Sequence, residues 1–135
     1  MNITVETTIN APLEQVWEFW TMPEHIIHWN FATDEWCCPS AMNDLRPGGA
    51  FIWRMEAKDG SMGFDFGGTY DQIESFKSIK YTLGDGRKIE ITFSFKGDST
   101  HMIETFEAEK VNSLEMQQAG WQSILNNFKK YAESQ

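Results

Sequence analysis

From Gly48 to Glu107 the chain reads as strand after strand, joined by turns too short for anything but antiparallel pairing. The segments GAFIWRMEA, GFDFGGTYDQIE, SIKYTL, RKIEITFSF and THMIETFEAE are separated by KDG, GDG and KGDS, and most alternate apolar with polar residues. A period of two belongs to a half-buried strand, and glycine after aspartate accepts the positive φ of a tight hairpin. Parallel strands need long crossovers, which these turns exclude. An antiparallel meander follows. Gly67-Gly68, inside the second segment, is expected to mark a β-bulge.

The flanks complete the layout. ITVETTI alternates as a first strand, and Leu13, Val16, Trp17 and Trp20 share one face of a helix in which Pro12 suits the first position. Met22-Pro23 ends that helix, PEHIIHW makes a second short one, and a further strand is expected around Glu35–Ala41. At the far end, Trp121, Ile124, Leu125, Phe128 and Ala132 form an i, i+3, i+4, i+7 stripe on one long helix. Asn112 is the expected cap, with Glu115 reaching back and Lys129 and Lys130 at the negative end of the dipole. The order predicts an α+β domain spanning 1–135, an antiparallel sheet with the terminal helix on one face; a strongly curved sheet would wrap that helix and leave space between them. Gly120 stands out, because glycine inside a helix costs about 1 kcal/mol relative to alanine.

Composition narrows the function. Six Trp and ten Phe among 135 residues exceed what a core this size needs, and large rings leave gaps where they meet. A formal net charge of −9 argues against nucleic acid and against anionic membrane surfaces. No apolar run reaches the length of a membrane span, and MNITVETTIN is too polar for a secretory signal. Cys37 and Cys38 are adjacent, strained as a mutual bridge and without other partners, which fits a reducing, cytoplasmic setting. Two thiols on opposite sides of a strand are the plain reading; a reactive pair or thiolate metal site is the alternative.

Taken together, INAPLEQVWEFWTMPEHIIHW, LRPGGAFIWRMEAKDG, FGGTYDQIESFKSIKYT and HMIETFEAE…EMQQAGWQSILNNFKKY resemble the START-like superfamily, also called SRPBCC or Bet v1-like. The resemblance covers nearly the whole chain and is strongest to the branch related to the C-terminal domain of the activator of Hsp90 ATPase. It implies a helix-grip fold, in which a curved sheet cradles the terminal helix over a hydrophobic cavity, and with it a reason for Gly120: close approach of the helix to a ligand, or to a bulky sheet residue such as Trp53. It also implies three possible roles: a small-ligand carrier, a chaperone partner, or a cyclase- or hydrolase-type enzyme. The separate N-terminal domain of the eukaryotic activators has no counterpart in these residues, so ATPase activation is not carried across.

Alternation nominates the inward rows. Trp53 and Met55, Phe66, Tyr81, Phe93 and Phe95, and Glu104 and Phe106 are expected to meet Trp121 and Leu125 around a cavity for a lipid-like or aromatic molecule. The same rows would equally fill a dry core. Glu104 is the polar member to watch, since desolvation would raise its pKa and suit it to an acid–base or anchoring role. Arg54 and Arg87 are expected in solvent or paired with carboxylates. His25 and His28 have a spacing that metal ligands share with many solvated pairs. No G-x-S-x-G, phosphate-binding glycine loop or H-E-x-x-H is present, so no catalytic residue, metal or cofactor is assigned.

Overall fold

The computed structural model describes residues 1–135. The elements run β1 (Asn2–Ile9), α1 (Leu13–Thr21), α2 (Pro23–Ile26), β2 (Trp36–Asn43), β3 (Ala50–Ala57), β4 (Gly63–Glu74), β5 (Ser78–Leu83), β6 (Lys88–Lys96), β7 (Ser99–Glu107) and α3 (Leu114–Glu133). All seven strands form one antiparallel sheet in the order β1-β7-β6-β5-β4-β3-β2. The meander therefore holds from β2 to β7, and β1 adds itself beside the last strand. The sheet curls into a half-barrel around α3, the expected α+β helix-grip. No helix is long and apolar enough to cross a membrane.

The period of two explains the face each strand buries. In β7, Thr100, Met102, Glu104 and Phe106 point inward, and in β6 Ile89, Ile91 and Phe93 do so. The KDG and GDG turns place Gly60 and Gly86 at φ +79 and +92, in the region where a Cβ is disfavoured.

β1 is an edge strand, and its open carbonyls need partners. α3 supplies them. The Gln118 amide donates to the Thr4 carbonyl at 3.4 Å, the Gln122 amide to Glu6 at 3.2 Å, and the Lys129 ammonium to Thr8 at 2.8 Å. The polar flank of the helix thus pins it along one edge while its apolar stripe enters the half-barrel. Leu125 and Phe128 are fully buried there, and Trp20 and Trp29, stacked on each other, both meet Phe128 edge-on.

Three local expectations need correction. The helix cap is Ser113, whose hydroxyl accepts from the Met116 N–H at 3.1 Å; Asn112 sits one residue outside and bonds Glu109 instead. Pro12 precedes the first helical residue rather than occupying it. The β4–β5 register shifts between Tyr70 and Gln72, not at Gly67-Gly68, which pair in register with Ile52 and Phe51. Those glycines serve close strand packing: a Cβ at 67 would stand 2.6 Å from the Phe51 carbonyl oxygen, and one at 68 would collide with that of Thr82.

Candidate functional pocket

Between the concave face of the sheet and the first half of α3, the side chains leave a pocket of about 390 Å³. That size lies within the range of small-molecule sites. Rings form most of its wall. Trp53 and Phe66 stack at 5.8 Å, Trp121 meets Phe66 edge-on at 6.2 Å, and Trp20 and Trp29 close the inner end. Met55, Phe64, Tyr81, Met116 and Ile124 complete the apolar lining. Two of the indoles are fixed by hydrogen bonds: the Trp53 N–H donates to Asn43 Oδ1 at 2.7 Å, and the Trp29 N–H donates to the Phe19 carbonyl at 2.9 Å.

Of the ten residues nominated from alternation, the pocket gathers Trp53, Met55, Phe66, Tyr81, Glu104 and Trp121. Four lie elsewhere. Phe93 is buried but packs edge-on against Trp17 of α1 at 5.1 Å. Phe106 is fully buried behind the stacked Trp121 ring, and Leu125 is enclosed one turn farther along α3. Phe95 belongs to the inward row but is 63% exposed, because the end of β6 extends past the helices that cover the sheet. Shared facing on a strand says nothing of how far the covering layer reaches.

Sequence reasoning missed the pocket's mouth. Gln117, buried on α3, accepts from the Glu109 N–H at 2.8 Å and donates to the Glu109 and Asn112 carbonyls at 3.2 and 2.8 Å. It fastens the link after β7 to the start of α3, placing Glu109 and Asn112 on the rim. Gly120 is also on the wall, and a Cβ there would meet nothing within 4 Å. Neither Trp53 nor any other sheet residue requires glycine at this position. The missing methyl faces open space.

Glu104 is the unusual polar group. It is 5% exposed, with Val5 and Ile91 as its cross-strand neighbours, and it forms no hydrogen bond or ion pair within the chain. Every fully enclosed side-chain nitrogen or oxygen in the molecule has a partner, so the Glu104 oxygens border the pocket rather than packed protein. Burial pushes its carboxyl up to about 8. Burial first, and then the Glu104 charge, raise the Tyr81 hydroxyl well above its ordinary value, with Arg87 opposing. Arg87 itself pairs with Asp85 at 2.8 Å, as expected, while its side chain borders the pocket. Arg54 pairs with Glu56 and Asp65 at 3.0 and 3.4 Å on the outside.

The remaining candidates have structural partners. His25 Nδ1 lies 2.6 Å from the Tyr131 hydroxyl and His28 stacks on the same ring. Cys38 is buried with its thiol 3.5 Å from the Ser40 carbonyl, and Cys37 is half-buried beside it. No three His, Cys, Asp or Glu side chains cluster as a metal would need.

The whole architecture has close counterparts. The family model described as activator of Hsp90 ATPase homolog 1-like protein matches residues 10–133. The chain belongs to this family. A solution structure of a protein of this kind from Aeromonas hydrophila is 41% identical, with a TM-score of 0.93 over 99% of this chain and 93% of that one. A solution structure from Cytophaga hutchinsonii is 53% identical, with a TM-score of 0.86 over 98% and 92%. A crystal structure from Chromobacterium violaceum, 21% identical with a TM-score of 0.85 over 98% of both chains, shares the fold. None of the curated proteins matches the chain.

Proposed function

We propose that the chain, acting as one START-like unit, binds a small hydrophobic molecule between the sheet and α3. The observation that carries this reading is Gly120. A helix that only filled a core would gain about 1 kcal/mol from alanine here, and the added methyl would touch nothing. Stability has been given up at a point on the wall of an aromatic-lined space, which suits a bound molecule approaching the helix backbone. Apolar burial drives binding, with Glu104 and Tyr81 fixing orientation. Their protonated oxygens offer hydrogen bonds, but no nucleophile or relay is bonded to either, so we assign no reaction. The free Cys37 and Cys38 suit a cytoplasmic setting.

Native mass spectrometry of gently purified protein, with solvent extraction of whatever is released, tests the proposal. A stoichiometric small molecule is expected. An empty protein that also ignores a panel of lipids and polycyclic aromatics would contradict it.

A second reading, contact with a chaperone, draws on the family description and on Met42 and Ile52. These are exposed cross-strand neighbours on the convex face, 58% and 42% accessible. Co-purification of Hsp90 that is lost in Met42→Ser/Ile52→Ser, with the pocket untouched, would favour it.

A further inference from the structure

Resting on the ligand-binding reading, we propose that the molecule this pocket takes carries a cationic nitrogen on an aromatic or aliphatic body, with the cation seated against Glu104. Two observations point there. Glu104 borders the pocket with no hydrogen bond or ion pair from the chain, whereas every fully enclosed polar side-chain atom has a partner. A buried carboxylate without a counterion is costly, and a ligand that brings one removes that cost. Around it stand Trp53, Phe66 and Trp121, with Trp20 and Trp29 at the inner end. The faces of such rings attract cations, tryptophan most of all.

The charges near Glu104 agree. On β7 its flanking inward residues are Met102 and Phe106, on β6 it meets Ile91, and on β1 Val5. Tyr81 on β5 lines the same pocket and feels the Glu104 charge, and Tyr70 on β4 acts in turn on Tyr81. The residues of α3 that line the pocket are all uncharged, and Glu109 on the rim adds a second carboxylate. Arg87 is the one cation of the lining; its charge is committed to Asp85 and acts on Tyr81, whereas burial alone sets the titration of Glu104. The protein's net charge of −9 also steers cations toward it.

Without a ligand the carboxyl rests neutral below about pH 8, so a permanent cation must displace its proton to bind. No histidine or cysteine lines the pocket to titrate in the same interval.

Three probes test this by following indole N–H resonances: benzyltrimethylammonium, its neutral carbon isostere neopentylbenzene, and phenylacetate. At pH 8.5 the cation should bind at least tenfold more tightly than the isostere, and phenylacetate most weakly. Below pH 8 the cation's affinity should fall, approaching tenfold per unit. Glu104→Gln keeps size and resting neutrality, so it should fold, lose the cation preference and lose the pH dependence. Equal binding of cation and isostere, or a preference that survives Glu104→Gln, overturns the cationic assignment while leaving apolar binding in place. No binding by any probe overturns both.

Discussion

The indole of Trp121 lies flat on the ring of Phe106, with centroids 3.9 Å apart and planes 11° from parallel. This stack joins α3 to β7. It also turns the other face of Trp121 toward the pocket, beside Phe66. One ring thus serves both the fold and the site.

Trp121→Ala is therefore expected to cost about 2–3 kcal/mol, below the full value for a buried Trp because the side chain is only half-buried. Trp121→Phe should recover most of that. Urea unfolding measures both, and a loss under 0.5 kcal/mol for alanine would mean the stack does not hold the helix.

Gly120→Ala should move stability and binding in opposite directions. Stability should rise by about 0.5–1 kcal/mol, since the methyl meets no atom. Affinity for a pocket ligand should fall, because the methyl enters the pocket. Chemical denaturation paired with a ligand titration checks it; unchanged affinity would remove the functional reason for this glycine.

Phe93 and Phe95 separate packing from display. Phe93→Ala should cost about 3 kcal/mol by emptying the space against Trp17, while leaving binding intact in the folded fraction. Phe95→Ser should change stability by no more than about 0.5 kcal/mol. Thermal melts and titrations on both variants test the assignment.

These two residues also show where sequence reading stops. Alternation placed both on the same row of β6, and both are on it. Whether that row is covered depends on where α1 and α3 lie across the sheet, a long-range fact that no local period carries. Phe64 and Gln117 were legible in position but not in role: Phe64 shares the row of Phe66 on β4 and Gln117 stands one turn before Trp121 on α3, yet that the pocket reaches as far as either is set by how the sheet and helix meet. Glu104 was legible as a polar residue in an apolar row, but its lack of a partner was not. The cap was misplaced by one residue because Asn112 and Ser113 are both good caps, and the bond to Glu109 takes Asn112 away.

Glu104 should leave a mark on pH dependence. Its folded pKa, about 8, lies above the ordinary value of 4.5. The folded protein therefore holds a proton that the unfolded chain has released between those values. The resulting stability is complete below about pH 4.5 and is lost as pH rises to about 8, at up to about 1.4 kcal/mol per unit. Glu104→Gln should match wild type near pH 4.5 and exceed it above pH 8 by several kcal/mol. Parallel stability profiles for the two proteins would show that Glu104 titrates normally.

The most direct test of the central claim is a two-dimensional NMR titration of the labelled protein with a neutral polycyclic probe such as 1-aminoanthracene. Saturable shifts confined to pocket residues, the indoles of Trp20, Trp29, Trp53 and Trp121 together with Met55, Met116 and Ile124, with Phe95 and Met42 unmoved, are predicted. No shifts, or shifts scattered over the convex face of the sheet, would contradict a ligand site between sheet and helix.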